Sequence, residues 1–499
     1  MNIYKYLLFF ILIAGLLAAC GESEEAMSET LSYGSLSIDQ DSLHFASSGG
    51  KDTINLTSDV VWFITFQSSS WCRPSIQTAK GNAKVIVTAD ENDSTAFRTQ
   101  TFTLSAAGHD TIVITITQSS TEDEDETDYS EYITPDQTDM RELDALEFSK
   151  LMGVGWNIGN SLESITVSGG VYSGSETSWG NPSVTKQLID SVKDAGFNAI
   201  RIPVSWSHKL DNTSTYKIST SWKKRVAEVV NYALDNDMFV IINVHWDGGW
   251  MNDPTYDSQT SINAKLDSLW KQIAIYFRDY DDRLLFAGTN EVHVADNYGT
   301  PTSENIAVQN SFNQTFVNAV RATGGRNFYR QLIVQAYNTN IENACSYLTM
   351  PDDQVENRLM AEVHFYDPYD FALQESTGYT TQWGENYIGG DVSSWGQEDW
   401  VDEAFGMMKT YFVDKGVPVI LGEYGALLRT MLDTDAEAAH VAARNYYLNY
   451  ITKTAKANGL VPFYWDNGVT GNNGFGLFDR STGQKAHSDA ISAIISAGN

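Results

Sequence analysis

The octapeptide Leu284-Leu285-Phe286-Ala287-Gly288-Thr289-Asn290-Glu291 runs apolar and then ends abruptly in an amide and a carboxylate. Val417-Pro418-Val419-Ile420-Leu421-Gly422-Glu423-Tyr424-Gly425 has the same pattern, a short apolar stretch that delivers a glutamate at its end. Apolar runs of this length read as buried strands. A carboxylate at the carboxyl end of one is left at the rim of its sheet, where parallel-sheet enzymes keep their chemistry. Two carboxyl groups, one holding a proton and one ionised, are the minimum needed to cut a glycosidic bond. Glu291 and Glu423 are therefore the candidate catalytic pair.

Such a pair needs a scaffold that brings distant stretches of chain to one place. From residue 139 to 499, short apolar strands alternate with helical periods, the signature of a parallel sheet with crossover helices. Strands are predicted at 152–158, 198–202, 238–244, 284–289, 331–336, 359–363, 417–421 and 460–464. Helices are predicted near 183–195, 222–236, 261–280, 303–322, 340–347, 398–414, 434–457 and 485–497. Eight such units with long loops predict an α/β fold of the (β/α)8 TIM-barrel type. A doubly wound sheet is the alternative, but no Gly-x-Gly-x-x-Gly turn follows the first strand. The predicted strand ends carry Asn157, Arg201, His245, Asn290 with Glu291, His364 with Tyr366, Glu423 and Trp465. Any one of these could be a satisfied structural group; together, at independent strand ends, they converge on one mouth.

The amino-terminal part is organised differently. Lys5 followed by an apolar stretch from Leu7 to Ala19 has the length of a signal h-region. Leu17-Ala18-Ala19-Cys20-Gly21 resembles a bacterial lipobox, which implies a signal segment at 1–20 and a lipid anchor at Cys20. Glu22, Glu24 and Glu25 open an acidic tether (21–34) and resemble the signal that sends Bacteroidetes lipoproteins to the outer cell surface. Between 35 and 119, period-two runs such as Asp52–Leu56, Val60–Phe66, Lys84–Val87 and Thr111–Ile116 predict an all-β sandwich of immunoglobulin-like size. With its Leu-Ser-Ile-Asp start and the Trp62-Phe63 and Trp71-Cys72 pairs, this unit resembles the BACON module. The resemblance implies glycan binding; a spacer explains the same residues, and is the reading preferred here. Glu122-Asp123-Glu124-Asp125-Glu126 marks a linker at 120–138 in which like charges repel and no core forms.

Composition narrows the partners. A net charge of −32 repels nucleic acid and anionic membrane surfaces, so the membrane is expected to be reached only through the anchor at Cys20. A neutral ligand is indifferent to that charge, and 13 Trp and 25 Tyr offer flat faces suited to sugar rings. Cys20, Cys72 and Cys345 form neither a disulfide framework nor a metal-ligand spacing, and the His residues are dispersed.

The barrel region resembles glycoside hydrolase family 5, most closely its endoglucanase and xyloglucanase branch. The resemblance rests on Gly155-Trp156-Asn157-Ile158-Gly159-Asn160, Trp179-Gly180-Asn181-Pro182, Arg201-Ile202-Pro203-Val204-Ser205-Trp206, Asn243-Val244-His245, Thr289-Asn290-Glu291, His364-Phe365-Tyr366, Gly422-Glu423-Tyr424-Gly425 and Tyr464-Trp465-Asp466-Asn467-Gly468. It implies a retaining endo-β-1,4-glucanase with Glu291 as general acid/base and Glu423 as nucleophile. Asn157, Arg201, His245, Asn290, His364, Tyr366 and Trp465 would line the substrate site, Arg201 and Tyr366 also serving Glu423, and Trp465 stacking under a sugar. Trp179, Trp206 and Trp250 are further candidate sugar contacts. No metal or other cofactor is expected, and the implied partner of a monomeric chain is a β-glucan polysaccharide or oligosaccharide. An endo-acting hemicellulase on mannan or xylan, or a non-catalytic glycan-binding protein, are the alternatives. Two positions depart from the family pattern: Trp246 where many relatives have a second His, and Ala287 where relatives often have Glu.

Overall fold

The computed structural model describes residues 34–120 and 132–498, except positions 46, 67–70, 95–97, 296, 298, 388–389 and 431. The expected signal segment, the lipobox, the tether up to position 33 and the Glu122–Glu126 charge run lie outside the described residues. The chain divides into two compact units, Met1–Glu124 and Asp125–Asn499. Among the described residues, no helix is long and apolar enough to cross a membrane.

The first unit is a pair of sheets. One has the strand order Leu36–Ile38, Gly50–Ser58, Ala83–Ala89, Cys72–Pro74. The other runs Ser42–Phe45, Ile112–Gln118, Arg98–Ala106, Val61–Thr65, Thr78–Lys80. Val61–Thr65 shows how alternation builds it: Trp62 and Ile64 enter a core shared with Val85, Phe102 and Ile114, while Val61, Phe63 and Thr65 face outward. The indole Nε1 of Trp62 donates to Gly81 O at 2.9 Å, so its burial strands no polar group.

The second unit is a closed barrel of eight parallel strands in chain order, the last pairing with the first. They are β1 (Gly155–Ile158), β2 (Ala199–Ile202), β3 (Phe239–Asn243), β4 (Leu284–Ala287), β5 (Leu332–Gln335), β6 (Leu359–Phe365), β7 (Val419–Tyr424) and β8 (Leu460–Asp466). The crossover helices are α1 (Lys186–Asp194), α2 (Thr220–Leu234), α3 (Tyr256–Tyr276), α4 (Ser303–Arg321), α5 (Ile341–Tyr347), α6 (Glu398–Tyr411), α7 (Thr434–Ala457) and α8 (Ser488–Gly498). Their starts carry the expected chemistry. Thr185 accepts from the Leu188 N–H, and Thr302 with Asn305 forms a reciprocal capping box.

Strand residues separate by parity. Val240 and Ile242 of β3 pack outward into the core beneath the helices, whereas Phe239 and Ile241 join Ala199, Leu285, Ala287, Ile333, Met360, Ile420, Val461 and Phe463 inside the barrel. A short helix, Ala145–Ser149, lies at the foot of this interior, where Phe148 meets Phe239 edge-on at 5.3 Å between ring centroids. Two residues further along five of the strands the inward row turns polar, with Arg201, Asn243, Gln335, Glu362 and Trp465 above the apolar layers. The last three strands run further than predicted, so His364, Glu423 and Trp465 lie inside β6, β7 and β8 instead of beyond them.

A bulge completes the layout. Pairing between β6 and β7 steps from Val363 with Leu421 to His364 with Glu423, which leaves Gly422 as an extra residue. Continuing the parity of Ile420, which faces the interior, would turn Glu423 toward the helices; the extra residue turns it back to the mouth.

Candidate active site

Arg201 is the centre of the polar layer and has no exposed surface. Its Nη1 donates to Glu423 Oε1 at 3.0 Å and to Asn157 Oδ1 at 3.1 Å, and its Nη2 donates to Asn290 Oδ1 at 2.7 Å. Its Nε lies 3.0 Å from Glu362 Oε1. A guanidinium is fitted to this post, since one rigid planar cation addresses several acceptors at once. Glu423 Oε2 accepts from the Tyr366 hydroxyl at 3.0 Å, and burial beside Glu423 and Glu291 keeps that phenol well above its ordinary pKa and protonated.

Glu291 faces this group. One oxygen of Glu291, one of Glu423 and a ring nitrogen of His364 all lie within 4.8 Å of one another. Carboxyl groups so close leave no room for a water between them and the sugar. They match the roughly 5–5.5 Å separation of retaining glycosidases, against about 6.5–9.5 Å in inverting ones. His364 Nδ1 is 2.6 Å from Glu291 Oε1, and Nε2 is 3.2 Å from Glu362 Oε1. Burial alone would lower this imidazole, but the charge of Glu423 and the hydrogen bonds to Glu291 and Glu362 push it up to about 9. With both ring nitrogens committed to carboxylates it carries both protons and offers no lone pair to a metal ion.

His245 has the opposite character. Burial, with the charges of Arg201 and His364 nearby, holds it well below its usual pKa, so it is neutral. Its Nδ1 lies 3.1 Å from the Asn243 side-chain amide, which leaves Nε2 as the protonated nitrogen. Its ring lies parallel to Trp465, with 6° between planes and 5.9 Å between centroids. Gly159 has to be glycine here, because a Cβ would stand 2.6 Å from the Trp465 ring.

Burial raises both glutamates. At Glu291 the hydrogen bond and charge of His364 outweigh it and lower the carboxyl, while Glu423 stays raised. Those two directions alone would leave a shared proton on Glu423; the hydrogen-bond donors around the pair favour Glu291 for it. Glu423 accepts from both Arg201 and Tyr366, with His364 a further 3.8 Å away, whereas the Glu291 carboxyl pairs with His364, and Arg201 and His293 act on it through charge. The Glu291 side chain is also 39% exposed and that of Glu423 7%, so a sugar settling over the mouth strips water from Glu291 and raises its carboxyl pKa, opposing the pull of His364.

The structure brings all nine predicted residues together, but two of them lie fully buried beneath the pocket. Asn157 and Arg201 were expected as substrate-binding residues, and both are completely buried. The Asn157 amide is spent on Gly422 O at 2.8 Å and its carbonyl on Arg201. Asn290 sits 5% exposed with its carbonyl turned to Arg201, which leaves its NH2 group for a ligand. Among the extra tryptophans, Trp206 is fully buried and donates to Asn243 O, whereas Trp250 is half-buried and donates to Asp247 Oδ2 at 2.7 Å. Trp179 is 39% exposed, and the exposed Trp246, one of the departures from the family pattern, lines a small cavity with His245, Asn290, Glu291 and His293.

The first loops above the mouth share one buried hub. Asp247, fully buried, accepts from the backbone N–H groups of Trp206 and Ser207 at 2.8 Å each. The Lys265 ammonium donates to Ser207 Oγ at 2.7 Å and stands 4.1 Å from the Trp250 ring centroid and 5.1 Å from that of Tyr172. Burial draws this lysine down to about 8 against the opposing charge of Asp247.

Sequence reasoning missed Glu362. It has no exposed surface, contacts Arg201 and His364 as above, and accepts from Gln335 Nε2 at 2.6 Å. The signal was present: a carboxylate inside a strand whose residues other than His364 are apolar, two residues before that histidine and so on the same face.

Comparison with known proteins agrees with the geometry. The family model described as cellulase (glycosyl hydrolase family 5) matches residues 165–471, and the BACON model, described as a putative N-terminal binding domain, matches residues 61–119. The chain is 44% identical over 500 residues to the xyloglucan-specific endo-beta-1,4-glucanase BoGH5A of Bacteroides ovatus, covering 99% of this chain and 97% of that one. It is 39% identical over 374 residues to endoglucanase A of Paenibacillus barcinonensis, covering 72% of this chain and 91% of that one. Among solved structures, the Bacteroides ovatus GH5 xyloglucanase in complex with a XXXG heptasaccharide superposes with a TM-score of 0.72 at 45% identity, over 93% of this chain and all of that one. The chain therefore belongs to glycosyl hydrolase family 5.

Proposed function

We propose that this chain cleaves the β-1,4-glucan backbone of xyloglucan from within, with Glu291 as general acid/base and Glu423 as nucleophile. It is a retaining glycoside hydrolase of the endo-β-1,4-glucanase type. The observation that carries the assignment of roles is the unequal company of the two carboxyls. Arg201 and Tyr366 hold the negative charge on Glu423, and Glu291, nearer to water, faces it within one sugar's reach.

The reaction follows from that arrangement. Glu423 attacks C1 as the bond from C1 to the glycosidic oxygen breaks, and Glu291 gives its proton to the departing oxygen. Water then attacks C1 of the glycosyl ester, Glu291 takes its proton, and Glu423 leaves as the carboxylate. The free NH2 of Asn290 is placed to hydrogen-bond the sugar beside Glu291, and Trp465, braced by Gly159 and His245, offers a flat face for the ring. The preference for xyloglucan rests on the relative that matches along the whole chain.

The test is azide rescue. Glu423→Ala has its rate restored by azide with a product of inverted anomeric configuration; rescue with that stereochemistry at Glu291→Ala instead would reverse the roles. Rates on soluble xyloglucan, mixed-linkage β-glucan, galactomannan and xylan, measured side by side, test the substrate. Equal rates on galactomannan sink the glucanase specificity. We further propose a lipid anchor at Cys20 that displays the enzyme on the cell exterior, with the β-sandwich as spacer. Radiolabelled palmitate that stays in the protein after Cys20→Ala counts against it.

A further inference from the structure

Glu362 is a buried carboxylate beneath the catalytic pair that the reaction above does not use. It bridges the supports of both glutamates, since it touches Arg201, which holds Glu423, and His364, which holds Glu291. The fold makes room for it at some cost in sequence freedom: a Cβ on Gly422 would stand 2.1 Å from Glu362 Oε1, so the bulge that turns Glu423 to the mouth has to be glycine. The charged and titratable groups that face it or its two partners are Arg201 on β2, His245 after β3, Glu291 and His293 after β4, His364 and Tyr366 at the end of β6, and Glu423 on β7.

We propose that Glu362 is a positioning residue that fixes the number of protons on the catalytic pair, by cancelling one of the two cations buried beneath it. The proposal rests on the roles given to Glu291 and Glu423 above. Arg201 and the doubly protonated His364 supply two positive charges, and Glu362 neutralises one. One positive charge remains for two carboxyls, so one carboxyl is an anion and the other keeps its proton. Before the first step the anion is Glu423 and the proton is on Glu291. After it, Glu423 is an uncharged ester, the proton has left with the departing hydroxyl, and the anion is Glu291. The buried cluster is neutral at both ends of the step, and no charge has to be solvated as the bond breaks. Without Glu362 both cations would be available to the pair. Both glutamates would then ionise at lower pH, and the acid would have nothing to donate.

The test is the pH dependence of kcat/KM on soluble xyloglucan. Glu362→Gln moves the basic limb to lower pH by one pH unit or more, while Glu362→Asp, which keeps the charge, leaves the limb in place even if the rate falls. A limb that stays put in Glu362→Gln, however slow the variant, overturns the proposal, because a merely structural carboxylate would cost rate without moving the limb. Wild-type protein gives a second readout that no folding defect can obscure. With 15N-labelled histidine, His364, assigned by the signals lost in His364→Asn, shows both ring nitrogens protonated up to about pH 8; a neutral His364 at pH 7 overturns the charge count. A basic limb that survives in Glu291→Gln overturns the acid assignment itself. One that vanishes there but does not move in Glu362→Gln overturns only the role given to Glu362.

Discussion

Tyr366→Phe isolates one hydrogen bond without disturbing the shape of the pocket. The hydroxyl donates to Glu423 Oε2 at 3.0 Å, and the phenyl ring that remains keeps its edge contact with Phe475, at 6.1 Å between centroids. A hydrogen bond to a charged acceptor contributes about 1.5–3 kcal/mol. At 1.36 kcal/mol per pH unit, its loss raises the pKa of the Glu423 carboxyl by about 1–2 units. The sign is fixed by the donor: Tyr366 favours the ionised form, so without it Glu423 holds its proton to higher pH. Because Glu423 must be ionised to attack C1, the acid limb of kcat/KM on xyloglucan moves upward by that amount, and on the acid side of both limbs the variant is slower by about 10- to 100-fold. The basic limb, which belongs to the proton on Glu291, moves far less. An acid limb that does not move in Tyr366→Phe would refute the reasoning, because it would mean that Arg201 alone sets the charge on Glu423.

Glu163 gives a stability prediction. Burial pushes this carboxyl up to about 7, against the N–H donors of Ser161 and Asn160. Its folded pKa is raised, so the stability it contributes is complete below the unfolded value of about 4.5 and is lost as the pH climbs through about 7, an effect of about 3 kcal/mol. Glu163→Gln flattens that slope in denaturant titrations at pH 5 and pH 8, and an unchanged slope refutes it. Gly159→Ala places a Cβ 2.6 Å from the Trp465 ring and 2.9 Å from Asp466 O and tilts the platform; Kd for xyloglucan oligosaccharides rises several-fold and Tm falls. Isothermal titration with a catalytically silent Glu423→Gln background checks it, and an unaltered Kd counts against the platform.

Much of this site was legible because parallel strands buried on both faces read as apolar runs, and a polar residue that closes such a run stands out. Glu291, Glu423, His364 and Trp465 were found that way. What the runs could not reveal is depth. Asn157 and Arg201 look like mouth residues in sequence, yet both are fully buried, where they hold other side chains. Glu362 escaped because it lies inside its run and the predicted strand stopped at Val363, two residues short of its end at Phe365. Ala287 was a departure without an evident consequence; in the fold it is a methyl group of the apolar interior, and the buried carboxylate beside Arg201 comes from Glu362 on β6. Tryptophan exposure was beyond the sequence for another reason. Trp246 and Trp250 sit on a loop folded by positive φ angles at Asp247, Gly248 and Gly249, and Trp206 on a separate segment after β2, and loop geometry has no periodic signature.

The single ammonium of Lys265 touches Tyr172 from the hairpin after β1, Ser207 from the segment after β2 and Trp250 from the loop after β3. Three stretches that are separate in the gene thus behave as one wall. Swapping any one of them into or out of this scaffold to change polymer preference would strand a buried charge, so chimaeras are expected to succeed only when the three segments and their lysine travel together.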